Sequence, residues 1–158
     1  MKNFRTTALC ASLAIISLFA SAQNDQKIPI NEPDLNRPKL FSNLPDKIQV
    51  SVDDLNNLLT QSVGRSSGLK QSNGSEFQFE GEVVSTSESI DTRIQSVVIR
   101  STNFNGASLS ISKILNDDGT VSYKGRIISF KHADLYELQK IDNQFVLVKR
   151  NFYDLVNE

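Results

Sequence analysis

The chain has 158 residues, one cysteine, one histidine and a near balance of 17 Lys and Arg against 18 Asp and Glu. This length suits one ordinary domain, and the charge balance excludes the basic surface with which proteins bind nucleic acid or an acidic membrane. One cysteine and one histidine argue against a disulfide framework and a structural zinc site, so the sequence predicts no metal and no other cofactor.

The amino terminus has the composition of a secretion signal peptide. Lys2 and Arg5 form a short basic region, and residues 8–19 form an apolar run. That run is too short for a transmembrane helix, which needs about 20 apolar residues. Cleavage is expected between Ala22 and Gln23, directly after a small-x-small pattern that signal peptidase accepts.

A lipid anchor is the less favoured interpretation of this segment. The cysteine of a lipoprotein signal follows the apolar run and a small residue, whereas Cys10 lies inside the run and follows Leu9. Removal of the signal peptide, residues 1–22, leaves 15 basic against 18 acidic residues, a net charge of −3. The mature chain is therefore expected to be exported, periplasmic or extracellular, without a disulfide or a transmembrane anchor.

Residues 23–45 contain all four prolines of the chain. Proline at this density blocks helix and ladder hydrogen bonds, so the segment is predicted to be an extended tether. Its few apolar residues, among them Leu40 and Phe41, can dock onto the domain that follows. That domain is predicted to be single and to occupy residues 46–158.

A helix is predicted over about residues 52–63, at the start of that domain. Ser51 can cap its first turn, and Gly64 can end it in a left-handed conformation. Residues 64–75 are rich in Gly and Ser and offer almost nothing to bury, so they are predicted to form a flexible loop. The apolar residues at helical spacing are Val52, Leu55, Leu59 and Val63.

From residue 76 to residue 152, apolar and polar residues alternate, which is typical of half-buried antiparallel strands. Turn pairs such as Asn105-Gly106, Asp118-Gly119 and Asp142-Asn143 separate the runs. The sequence therefore predicts an α+β or mainly β fold, in which one short N-terminal helix precedes an antiparallel meander of about six strands. Several strands are apolar on both faces, so we expect the helix, curling toward a half-barrel, or a partner to cover the second face.

Residues 116–119, Asn-Asp-Asp-Gly, are predicted to form a hairpin turn and not a cation site. The Asp-Gly pair tolerates the positive φ angles of a tight turn. An EF-hand calcium loop would need further oxygen ligands at alternating positions, and no carboxylate follows Asp118 until Asp134.

His132 and Asp134 are the candidates for a general base and its orienting carboxylate. An extended backbone would place them on one face, the arrangement with which serine hydrolases activate their nucleophile. No Gly-x-Ser-x-Gly elbow accompanies them, and a surface histidine beside an acidic neighbour is the favoured interpretation.

Two other patterns are set aside. Ser-x-x-Lys spacing occurs at residues 110–113, where residues three apart on a strand would point to opposite faces, and at residues 67–70, inside the predicted flexible loop. Glu80 and Glu82 would share one strand face, where a solvated pair is favoured over the two carboxylates of a glycosidase. No catalytic residue and no metal ligand is therefore assigned.

The favoured hypothesis is an exported, non-catalytic module that binds an unknown protein or surface, with strand edges open to β-augmentation. The first alternative is a carrier of a small hydrophobic ligand in a barrel-like pocket. It rests on the two-faced apolar strands and on the aromatic residues Phe77, Phe79, Tyr123 and Phe145. The second alternative is a hydrolase that uses His132, Asp134 and an unidentified serine.

Overall fold

The computed structural model describes residues 36–74, 76–88 and 93–152, except the side chain of Glu88. The predicted signal peptide, its cleavage site at Ala22 and Gln23, and most of the predicted tether lie outside these residues. The elements of the described part are β1 (Lys47–Val50), α1 (Val52–Leu59), β2 (Ser66–Lys70), β3 (Gln78–Glu88), β4 (Ile94–Ser101), β5 (Ser108–Leu115), β6 (Val121–Ser129), a 3-10 turn (Phe130–His132), β7 (Asp134–Ile141) and β8 (Gln144–Asn151).

The eight described strands form one antiparallel sheet in the order β1-β8-β7-β6-β5-β4-β3-β2. Strands β2 to β8 are a continuous meander, and β1 adds to its far edge by pairing with β8. The predicted fold class, an antiparallel meander with one short N-terminal helix, is confirmed. Residues 76–152 contain the six predicted strands, β3 to β8, and β1 and β2 bring the described sheet to eight.

The sheet curls until its two edges approach each other. Strands β1 and β2 lie at opposite ends of the sheet order, yet the Ser72 amide, just after β2, donates to the Gln49 carbonyl of β1 at 2.9 Å. The side chains of Asn73 and Gln49 add a second hydrogen bond of 2.8 Å. The predicted curling toward a half-barrel is therefore present.

Helix α1 begins as predicted and ends four residues earlier than predicted. The Ser51 hydroxyl accepts from the Asp54 amide at 3.0 Å and so caps the first turn. The helix ends at Leu59 because the following residues turn back toward the sheet, where the Gly64 amide donates to the Val83 carbonyl at 2.8 Å. Only Leu55 and Leu58 are fully buried, while Val63 of the predicted helical face is 60% exposed.

The predicted flexible loop over residues 64–75 is wrong, because β2 occupies Ser66–Lys70. Backbone pairing with β3 builds this strand, and Leu69 is its one fully buried side chain. Gly68 is required there, since a Cβ atom at that position would lie 2.2 Å from the Phe79 carbonyl oxygen. The Gly and Ser content that predicted a loop instead permits close packing of two backbones.

The described end of the predicted tether belongs to the folded unit. Phe41 is 1% exposed, and the centroid of its ring lies 5.3 Å from that of Tyr136. The Tyr136 hydroxyl donates to the Pro45 carbonyl at 2.6 Å. Phe41 thus docks onto the domain, as the sequence allows. The described residues around it are not extended as predicted, because residues 40–43 form a turn in which the Leu44 amide donates to the Phe41 carbonyl at 3.1 Å.

The main core lies on the inner face of the curled sheet, where α1 contacts β2, β4 and β5. A smaller cluster of Ile128, Ala133, Leu135 and Phe152 accounts for part of the apolar content on the other face. The two-faced apolar strands are therefore covered by the helix and the curl inside, and by this small cluster outside. The largest fully buried inner side chains include Phe41, Phe77, Phe79, Tyr136, Leu55 and Leu58.

Candidate functional site

The sheet is incompletely paired between β6 and β7. Strand β6 pairs with β5 from Val121 to Ile128, and β7 pairs with β8 along its whole length. Between β6 and β7, pairing covers only the four residue pairs from Ser129↔Asp134 to Arg126↔Glu137. We call the unpaired region, residues 121–125 of β6 and 138–141 of β7, the β6–β7 gap.

The hairpin registers show which backbone groups face this gap. Asp142 and Asn143 both have positive φ, so Ile141 and Gln144 flank a two-residue turn as a hydrogen-bonded pair. Because antiparallel ladders alternate, the odd-numbered residues of β7 then bond to β8, and Leu138 and Lys140 face β6.

The same argument applies to β6. The Asn116 amide donates to the Thr120 carbonyl at 2.8 Å, which places the even-numbered residues of β6 in bonds with β5. Tyr123 and Gly125 therefore direct their backbone groups toward β7. No ladder pair joins these residues to Leu138 or Lys140 in the described structure.

Gly125 holds this end of β6 close against β5. A Cβ atom on Gly125 would lie 2.5 Å from Ile111 Cδ1 and 2.8 Å from the Ser110 carbonyl oxygen. The Ile111 side chain thus occupies the place that a side chain at position 125 would need. Gly125 falls in the same strand row as Val121, Tyr123 and Ile127, and at its position this row is filled by a side chain of the neighbouring strand.

A cavity of about 640 Å³ opens at the gap. Its apolar floor includes Tyr123, Leu138 and Phe145, with the centroids of the Tyr123 and Phe145 rings 5.2 Å apart in an edge-to-face arrangement. The Tyr123 hydroxyl donates to Asn56 Oδ1 of α1 at 2.7 Å, so the helix fixes the ring from below. This volume is within the range of pockets that bind small molecules or short peptide segments.

The polar wall of the cavity carries more positive than negative charge. Lys124, Arg126 and Lys140 line it together with Glu137. The Glu137 carboxylate already accepts from Gln139 Nε2 at 2.8 Å and from Arg150 Nε at 3.4 Å. Within the part of the chain that the structure describes, neither Lys124 nor Arg126 has a salt-bridge partner.

His132 and Asp134, predicted as partners, contact different groups in the structure. Asp134 is 7% exposed, and its Oδ2 accepts from the amides of Leu40 and Phe41, the latter at 3.3 Å. His132 Nδ1 instead contacts the Ser129 hydroxyl at 2.9 Å. A serine–histidine contact is therefore present, but Ser129 is 0% exposed, which leaves no access for a substrate to its hydroxyl.

The remaining sequence candidates do not form a common site. Ser110 and Lys113 lie on opposite faces of β5, and Lys113 Nζ donates to Asn56 Oδ1 at 3.3 Å. Glu80 and Glu82 are both exposed on β3. No three His, Cys, Asp or Glu side chains of the described residues are placed to hold a metal ion.

Residues 116–119 form the predicted hairpin turn. Gly119 has φ +80°, and the Asp118 carboxylate accepts from the Thr120 amide at 2.9 Å and from its hydroxyl at 2.6 Å. These two hydrogen bonds lower the pKa of Asp118 below its ordinary value. The carboxylate therefore stabilises the turn and is engaged within it.

Comparison with known proteins does not assign the chain to a family or a function. No protein-family model matches the chain, and neither curated proteins nor solved structures give a significant match. Among the described residues, no helix has the length and apolar character to cross a membrane.

The sequence predicted Tyr123 and Phe145 as pocket aromatics, and both line the cavity. Phe77 and Phe79, named with them, are buried in the inner core instead. The gap itself has no sequence signal, because the alternation of β6 is the same whether or not its second edge is paired. Only Gly125, a glycine inside a strand, marked this region as unusual.

Proposed function

We propose that this protein is an exported, non-catalytic binding module that takes up an extended peptide segment of a partner protein in the β6–β7 gap. The incomplete β6–β7 pairing carries this proposal, because Tyr123 and Lys140 direct backbone groups into a cavity instead of into a ladder. An extended peptide can supply the missing hydrogen bonds by β-augmentation.

The size of the gap supports a short extended segment. The free stretch of β6, residues 121–125, corresponds to about 16 Å at about 3.3 Å per residue. A strand of four or five residues spans that length. The cavity of about 640 Å³ adds room for side chains on the floor formed by Tyr123 and Phe145.

The buried position of Ser129 supports a binding role over a hydrolytic one. A nucleophile must reach the substrate, whereas Ser129 has no exposed surface. Asp134 does not serve as the orienting carboxylate of a triad, because its oxygen accepts the amides of Leu40 and Phe41. The two groups are explained as structural contacts at the β6–β7 connection.

A carrier of a small apolar ligand is the second candidate function. The apolar floor of the cavity, Tyr123, Leu138 and Phe145, favours it. Phe41, Phe77 and Tyr136 fill the half-barrel interior around the aromatic cluster. A carried ligand would therefore occupy the same cavity as the peptide.

Amide NMR of the mature protein with short extended peptides tests the proposed function. We expect a bound peptide to shift the amide signals of Tyr123, Gly125 and Lys140 and to slow their hydrogen exchange. Shifts confined to the outer edges β1 and β2 would contradict the gap as the site. Displacement of an environment-sensitive apolar dye, without any peptide effect on these amides, would favour the carrier.

A further inference from the structure

We infer that the peptide segment recognised by the β6–β7 gap alternates acidic and apolar side chains. This inference rests on the proposed function and names the chemistry of the partner. A strand in the gap would direct successive side chains to opposite sides of the sheet. The outer side of the gap is positively charged, and the inner side is mainly apolar. The outer side therefore favours acidic side chains of the peptide, and the inner side favours apolar ones.

The outer side offers positive charge without an internal partner. Lys124 and Arg126 are consecutive outward residues of β6, and both are exposed. Neither forms a salt bridge within the described residues, while Glu137 on β7 already bonds to Gln139 and Arg150. Glu137 is the cross-strand partner of Arg126, so a bound strand would pair with residues 121–125 of β6. An outward carboxylate opposite Lys124 would lie about 5 Å from it, with Arg126 as a diagonal neighbour about 7–8 Å away, and a second carboxylate, opposite Ser122, would be diagonal to Lys124.

The inner side offers an apolar surface with Lys140, the register partner of Phe145, at its rim. Tyr123 and Lys113 both donate to Asn56 Oδ1, at 2.7 Å and 3.3 Å. The Tyr123 and Phe145 rings present hydrocarbon to the cavity beside Leu138. Inward side chains of the peptide would gain from burial there, and a polar side chain would lose its hydration without a new partner.

Lys140 extends the positive charge to the far strand. Its Nζ lies 5.9 Å from the centroid of the Phe145 ring, so it stands at the rim of the apolar floor. Outward basic side chains of a bound segment would therefore meet Lys124 and Arg126, and an inward basic side chain would meet Lys140. The overall charge of the chain is −1, which makes this positive rim a local feature and not a property of the whole surface.

Three capped peptides of the form Ser-Val-X-Val-X-Val-Ser, with X as Glu, Thr or Lys, test the inference by calorimetric titration. We expect the Glu peptide to bind about fivefold more tightly than the Thr peptide, because two exposed ion pairs contribute that much, and the Lys peptide to bind most weakly. The advantage of the Glu peptide should shrink in 0.5 M salt, as exposed charges are screened.

A double variant, Lys124→Gln with Arg126→Gln, should lower the ratio of Glu-peptide to Thr-peptide affinity from about five to about one. The matched control is Lys47→Gln with Lys131→Gln, which removes two exposed lysines that do not line the cavity. The control should bind all three peptides like the unmodified protein. Equal melting temperatures of both variants would show that neither change acts through folding.

The possible outcomes distinguish failure of the charge preference from failure of the proposed function. Equal binding of the Glu and Thr peptides, with amide shifts at Tyr123 and Lys140, would overturn the charge preference and leave the peptide site standing. Tightest binding of the Lys peptide would overturn the inference in the same way. Absence of binding by all three peptides would overturn both the inference and the proposed function.

Discussion

Arg126 and Glu137 form the last cross-strand pair between β6 and β7, and the two strands continue beyond this pair without pairing to each other. Each strand is fixed to its other neighbour by a tight turn. Asn116 and Thr120 close the β5–β6 hairpin, and Asp142 and Asn143 close the β7–β8 hairpin. The gap therefore lies between two well-defined hairpins that share only half of their facing edges.

Neighbouring amides of β7 face different strands, so proline substitutions at neighbouring positions should change the free energy of unfolding by different amounts. Lys140→Pro removes an amide that faces the gap and should cost about 1 kcal/mol or less, since such an edge position tolerates proline. Gln139→Pro removes an amide that bonds to Val146 of β8 and should cost about 3 kcal/mol. Urea unfolding followed by circular dichroism measures both values. Equal costs would mean that the Lys140 amide is paired and the gap is closed.

The contact between Gly125 and Ile111 predicts a coupled pair of substitutions. Gly125→Ala should destabilise the protein by about 1–3 kcal/mol, because the new Cβ would overlap Ile111 Cδ1 and the Ser110 carbonyl. Ile111→Val removes the Cδ1 atom, so the double variant should be more stable than the sum of the single effects predicts. Thermal unfolding of the four proteins completes the cycle. Strict additivity would exclude the close approach of these residues.

The buried carboxylate of Asp134 predicts a large effect at the amino-terminal segment. Asp134→Ala should cost about 1–3 kcal/mol, because the amides of Leu40 and Phe41 lose their acceptor inside the protein. Asp117→Ala is the matched control, since the Asp117 side chain is 94% exposed and its ion pair is with exposed Arg93. Chemical unfolding measures both, and proteolysis near residue 40 should accelerate in Asp134→Ala alone.

The buried hydroxyl of Tyr136 predicts a loss of stability at high pH. Burial raises the pKa of Tyr136, and the negative charges of Asp46 and Asp134 raise it further. A raised folded-state pKa means that this contribution is complete below the ordinary pKa of 10 and is lost as the pH rises above it.

Tyr136→Phe provides the test, with stability measured from pH 8 to pH 11. The variant should be less stable at pH 8, because the hydrogen bond to the Pro45 carbonyl is lost. Its stability should then fall less steeply between pH 10 and pH 11 than that of the unmodified protein. Parallel pH profiles would show that Tyr136 ionises as readily in the folded chain as in the unfolded one.

The sequence by itself determined the local features of this fold. Period-two alternation places Leu109 and Ile111 on the buried face of β5, and turn chemistry sets the positive φ of Gly119, Asp142 and Asn143. These features depend on interactions between residues a few positions apart, so short stretches of sequence are enough to predict them. The capped start of α1 at Ser51 belongs to the same class.

Elements that depend on distant partners were predicted poorly. Strand β2 contains one fully buried side chain, Leu69, and exists because its backbone pairs with β3. The helix ends at Leu59 because the chain must meet Val83, more than 20 residues away. His132 and Asp134 face different partners because a 3-10 turn stands before β7 and residues 40–41 supply the amides that Asp134 accepts.

Only the tertiary structure decided that the sheet curls and that β6 and β7 separate. The alternation of β6 fixes which side chains face the core, but the extent of pairing depends on how β5 holds one edge and how β8 and β1 hold the neighbouring hairpin. Backbone hydrogen bonds carry no residue identity, so their absence leaves no mark in the sequence. The gap, its positive outer rim at Lys124 and Arg126, and its aromatic floor are products of that long-range arrangement.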